Sequence, residues 1–158
     1  MADYGAKTSA SSIDGVHVLR LPNTTLPDGF MMELFRTDWP AIGNAVRQIN
    51  WFQLRGEAVT GWHCHAAHTD HLIGVAGTIK LALWDGRDTS PSRGATEVVR
   101  MGPNLPSTVI IPPGVWHGLR NESNEPAGYV QVLDALYNHK NPDSRRLPFG
   151  TPDIPGVL

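Results

Sequence analysis

Cysteine is almost missing from this chain: Cys64 stands alone. An intrachain disulfide is excluded, and a reducing compartment fits. There is no run of Lys and Arg, and the formal net charge is -2, so nucleic acid is not expected as a partner. No apolar stretch approaches the ~20 residues a membrane helix needs. The polar N-terminal segment lacks the apolar stretch of a signal peptide. A soluble cytoplasmic protein without a membrane partner is expected. Helical patterning is scarce, its best candidate being a short helix from Trp39 to Val46, behind Asp38 and with Pro40 in the first turn. Neither Cys-x-x-Cys nor His-Glu-x-x-His occurs, which gives no support to a zinc ribbon or a zincin protease.

Glycine and proline, by contrast, are plentiful. Sixteen glycines and thirteen prolines punctuate the 158 residues in many places, which is how a chain of short strands reads. Thr78-Ile-Lys-Leu-Ala-Leu-Trp84 alternates Ile79, Leu81 and Leu83 against Lys80, Ala82 and Trp84. A period of two marks a strand, and Asp85-Gly86 then supplies turn chemistry. Val16–Leu21, Thr108–Ile111, Val115–Leu119 and Gly128–Leu133 read as strands too. The expectation is an all-β fold, a single-domain jelly-roll β-barrel with one or two short helices. Residues 1–15 would form a flexible arm, 16–137 the barrel, and 138–158 a proline-rich tail lying on the barrel or on a partner. A chain of this length buries roughly 70% of its unfolded surface, so any metal would serve chemistry and not folding.

Histidine carries the main functional signal. His63, His65, His68 and His71 fall within nine residues, and His117 follows the turn Pro112-Pro113-Gly114. On a strand His63 and His65 face the same side, with Trp62 and Cys64 opposite. A short bend brings Asp70 back toward them, and His117 arrives from another strand. Three neutral nitrogens and one carboxylate suit a divalent transition metal (iron, manganese, nickel or zinc) with positions left open. His68 and His71 compete with Asp70 for the fourth place, His68 at the barrel mouth and His71 turned away or lining the cavity.

These segments resemble the two cupin motifs. His63-x-His65, four residues, Asp70, six residues and Gly77 follow the first, with Asp70 in place of the usual Glu and the leading glycine one residue off at Gly56. Pro112-x-Gly114-x-x-His117-x-x-x-Asn121 matches the second throughout. Further segments resemble the dTDP-4-dehydrorhamnose 3,5-epimerases within that superfamily: Ser90-Pro-Ser-Arg-Gly94, Ile111-Pro-Pro-Gly-Val-Trp-His-Gly118, and Tyr137-Asn138 with Pro152-Asp-Ile154. That resemblance implies a homodimer, crossed by the arm or the tail, and a metal-free epimerase whose histidine base is His63.

The remaining positions of that family's set depart from it. Its arginine falls on Thr60, its enolate-polarising lysine on Asp70, and its tyrosine acid on Gln131. A carboxylate where a cation should meet an oxyanion has the wrong sign. Tyr129, two residues before Gln131 on the same face of the strand, is a substitute acid or a core aromatic. The leading expectation is therefore a metal-binding cupin that isomerises, epimerises or cleaves a small polar carbonyl compound or sugar derivative. His63, His65, Asp70 and His117 would hold the ion, with His68 or Tyr129 moving protons. Alternatives are a metal-independent sugar-nucleotide epimerase using His63, an iron-dependent dioxygenase, and a non-catalytic binding cupin. For the epimerase, Arg47, Arg55, Arg93, Arg100 and Arg120 would be candidates to grip a pyrophosphate.

Overall fold

The computed structural model of the protein describes residues 6–39, 41–43 and 46–156. They form thirteen strands: β1 (Lys7–Ser9), β2 (His17–Arg20), β3 (Asn23–Leu26), β4 (Gly29–Met32), β5 (Gln48–Leu54), β6 (Trp62–His65), β7 (Asp70–Ala76), β8 (Ile79–Asp85), β9 (Thr96–Met101), β10 (Ser107–Ile111), β11 (Val115–Asn121), β12 (Ala127–Leu133) and β13 (Ser144–Leu147). The strands pair into a six-stranded sheet, β1-β2-β10-β7-β12-β5, and a five-stranded sheet, β13-β6-β11-β8-β9, with β3-β4 as a separate hairpin. Every ladder is antiparallel. The all-β jelly roll expected from the strand pattern is what forms.

Alternation explains the two faces of each sheet. In β8, Ile79, Leu81 and Leu83 are fully buried in the core between the sheets, beside Leu72, Val109, Ile111 and Leu119. Burying each such side chain is worth about 1.5–3 kcal/mol. Ala82 and Trp84 project the other way, joining Trp62, Cys64, Trp116 and Ile154 in a second apolar layer. The tail covers that layer, since β13 continues the five-stranded sheet beyond β6 and Ile154 is only 4% exposed. The outer face of the six-stranded sheet is covered in turn by Trp39 and Ile42, packed on Leu19, Ile73 and Val132.

Two expectations need correction. No helix occurs among the described residues. In the Trp39–Val46 segment, Pro40, Asn44 and Ala45 lie outside the described residues, and Ala41 has φ +66°, incompatible with a right-handed helix. Trp39 and Ile42 dock on the sheet from a turn instead. The arm of residues 1–15 begins outside the described residues, but β1 pairs with β2 and Ile13 is 1% exposed, so its later part belongs to the barrel. No described helix is long and apolar enough to cross a membrane.

Candidate active site

Three imidazoles come from the five-stranded sheet. His63 and His65 are the inward residues of β6, and His117 is the inward residue of β11 directly opposite His63 in the ladder. Gly114, at φ +83°, makes the turn that aims β11, a conformation that suits glycine. Asp70 comes from the opposite sheet as the first residue of β7, 1% exposed. The four side chains expected as ligands are thus brought together from both walls, with one donor atom of each within 4.8 Å of the others.

The detailed geometry separates the candidates. Asp70 Oδ2 lies 3.2 Å from His65 Nε2 and 3.1 Å from His117 Nε2. These are contact distances, yet the angles make no hydrogen bond, and all three atoms are buried without a partner. Two donors bound at right angles to one ion at about 2.1 Å stand about 3 Å apart. Buried polar atoms left unpaired are costly, so three converging on one point fit a divalent cation better than they fit each other. The first cupin motif supplies three of these residues. In the second, only His117 reaches the site: Asn121 is fully buried but holds a loop, donating to Arg55 O and Glu125 O and accepting from Ser123.

His68 and His71 part company. His71 faces the outer side of the six-stranded sheet, its Nδ1 3.2 Å from Val132 O and its ring edge-on to Phe35. It is no competitor for the ion. His68, expected at the mouth, is 5% exposed and lies deeper, with Nε2 3.5 Å from Asp70 Oδ1 and Nδ1 3.0 Å from Asp143 Oδ2. Asp143 also stands 3.5 Å from His65 Nδ1, without a hydrogen bond between them.

A cavity of about 690 Å³ opens over this cluster. His63, His65 and His68 line it from one side, and Tyr129 and Gln131 line it from the six-stranded sheet. Asp70 lies behind the imidazoles and is not among the lining residues, so its charge does not face the cavity directly. None of Arg47, Arg55, Arg93, Arg100 and Arg120 lines it; the arginine that does is Arg146, opposite His63 on β13. Sequence reasoning missed both Arg146 and Asp143. Their signal is a strand pairing about eighty residues away along the chain.

Protonation follows from burial and neighbours. Burial pushes His63 well below its ordinary value, helped by His117, so its imidazole is neutral near pH 7. Burial would raise Asp70, but contacts with His117, His65 and His68 hold it well below the carboxylate range. Burial, with the Asp70 charge adding, pushes Tyr129 up, so its phenol keeps its proton. The Tyr129 ring stacks on Phe52 at 4.9 Å.

No family model matches the chain. It is 31% identical over 137 residues to the spore coat polysaccharide biosynthesis protein SpsL of Bacillus subtilis, covering 87% of this chain and 90% of that protein. With the probable low-salt glycan biosynthesis epimerase Agl13 of Haloferax volcanii it shares 27% identity over 122 residues, 77% of this chain and 78% of the other. A dTDP sugar isomerase from Desulfovibrio desulfuricans superposes with a TM-score of 0.86 at 26% identity, covering 93% of this chain and 92% of that one. The fold and the site define a cupin. Within that superfamily, the chain belongs to the dTDP-4-dehydrorhamnose 3,5-epimerase-like branch.

Proposed function

We propose that this protein epimerises or isomerises a keto sugar carried on a nucleotide. The carrying observation is that His63 and Tyr129 line one cavity from opposite sheets. Inversion at a carbon beside a ketone requires a proton to leave one face and return on the other. Neutral His63 would take the proton and Tyr129, still protonated, would return one, which is acid–base catalysis between two walls. Arg146 at the cavity suits the phosphates of the carrier. The names of the relatives, an epimerase, a sugar isomerase and a polysaccharide biosynthesis protein, support the same substrate class.

A second reading rests on the unpaired atoms of His65, Asp70 and His117. His65, Asp70 and His117, with His63 as fourth ligand, would hold a divalent transition metal. When bound, the ion would supply Lewis-acid stabilisation of the developing enolate, which the missing lysine no longer gives. His63 belongs to both sets. As a ligand it leaves the proton to His68, which lines the same wall.

The test is deuterium uptake from heavy water by nucleotide-linked 4-keto sugars, before and after chelation, with elemental analysis of the untagged protein alongside. Exchange that survives chelation supports His63 as base. Exchange lost with the metal and restored by added ion supports the second reading. A protein that exchanges none of these sugars in either state refutes both. We also propose a homodimer, from the family resemblance; light scattering at one chain mass instead of two would remove it.

A further inference from the structure

The two places where this chain most changes the family's chemistry touch each other. Gln131, at the position of the family's tyrosine, donates from Nε2 to Asp70 Oδ1 at 2.9 Å, and Asp70 stands at the position of the lysine. Gln131 is itself held. Asn50 Nδ2 donates to Gln131 Oε1 at 3.0 Å, Gln48 Nε2 donates to Asn50 Oδ1 at 3.0 Å, and the backbone N–H of Tyr137 donates to Gln48 Oε1 at 2.9 Å.

The polarity of this chain of amides is fixed by its far end. An amide side chain presents an oxygen or an NH₂ with nearly equal ease, but a backbone N–H can only donate. Tyr137 therefore takes the oxygen of Gln48, which turns its NH₂ to Asn50, and the same choice passes through Asn50 to Gln131. A donor thus arrives at Asp70 Oδ1. A flip anywhere along the chain would set an oxygen against an oxygen.

We propose that the Gln48–Asn50–Gln131 chain is a positioning device for a metal ligand. It occupies Oδ1 of Asp70 and leaves Oδ2 as the single oxygen presented to His65 and His117. On this account the exchange of tyrosine for glutamine and of lysine for aspartate is one linked change, in which a proton donor becomes the clamp of a ligand. The inference rests on the second reading above, and its experiment keeps the two apart.

That experiment is a competition titration of Zn²⁺ against a chromogenic chelator, using full-length wild type, Gln131→Leu and Asn50→Leu, with apo-protein melting recorded for each. Outer-sphere partners of metal ligands typically contribute 10–100-fold in affinity. Gln131→Leu should weaken Zn²⁺ binding by about that factor. Asn50→Leu, which leaves Gln131 present but free to flip, should weaken it by less. Gln131→Leu should also lower the apo melting point, since buried Asp70 Oδ1 loses its donor, so Zn²⁺ affinity is read well below each variant's melting temperature. Co²⁺ substitution adds a spectroscopic readout: the visible absorption should change in Gln131→Leu as Asp70 Oδ1 is released to the ion. If Gln131→Leu fails to fold, the Asn50→Leu titration decides. Unchanged Zn²⁺ affinity in the folded variants overturns the clamp while leaving the ligand set intact. A wild type that takes up no Zn²⁺ overturns the ligand set and the clamp together.

Discussion

The two walls of the cavity have had different fates. The five-stranded wall carries His63, His65 and His117 on adjacent strands, and His63 stands where the family resemblance places its base. The six-stranded wall carries the departures, Asp70 for a lysine and Gln131 for a tyrosine, with Tyr129 one turn of the pleat away. On the reading proposed above, His63 is the position kept from the family's set, and two of the changed positions, Asp70 and Gln131, lie on the facing sheet. Those two changed positions sit on β7 and β12, which are hydrogen-bonded neighbours.

Removing His63, the proposed base, should have the largest effect. His63→Ala is expected to lower deuterium exchange by about 10²–10⁴-fold, measured as initial rates on a keto-sugar nucleotide; near-wild-type exchange would shift the base to His68. Next, Tyr129→Phe tests the facing wall. It should lose product inversion by about 10²-fold or more while exchange by His63 continues, which NMR of substrate and product in heavy water resolves. Equal loss of exchange and inversion would make Tyr129 a core aromatic and not the acid. His117→Ala and Asp70→Ala then ask whether both walls hold an ion. On the metal-binding reading, elemental analysis should find metal in the wild type and none in His117→Ala, and retention in Asp70→Ala would put His68 in the place of Asp70.

Smaller still is the expected effect at the far end of the imidazole wall. Hydrogen bonds from Arg87 hold fully buried Asp85 far below the carboxylate range, against its burial, with Ser90 and Ser92 adding to them. A folded value below the unfolded one stabilises above the ordinary carboxylate value of 3.8 and is lost as pH falls through the folded value. Asp85→Asn should therefore cost about 2–3 kcal/mol at pH 7, with the difference from wild type shrinking below pH ~4. Urea unfolding at several pH values measures it; a pH-independent difference would assign the cost to packing.

Much of this architecture is legible in the sequence, for physical reasons. Ile79, Leu81 and Leu83 declare β8 because burial between two sheets imposes a period of two, and Cys64 turns outward into an apolar layer as the same alternation requires. His63, His65, Asp70 and His117 were legible because their spacing is short or follows a fixed turn. The Trp39–Val46 helix failed because local start signals were outweighed by docking of Trp39 and Ile42 on the sheet. Asp143, Arg146 and the Gln131–Asp70 bond were illegible for a common reason: each depends on a register between strands far apart in the chain.

That register carries a consequence for how the protein is made. β6, the strand of His63 and His65, is flanked on one side by β11 and on the other by β13, residues 144–147. Until those late residues leave the ribosome, β6 is an open edge, a ready template for wrong pairing, and the imidazoles lack Asp143. Synthesis runs at about 5–20 residues per second, so that edge stays open for several seconds after His65 has been made. A nascent barrel halted before residue 143 would already hold His63, His65, Asp70 and His117, but would lack Asp143 beside His65 and His68 and Arg146 at the cavity.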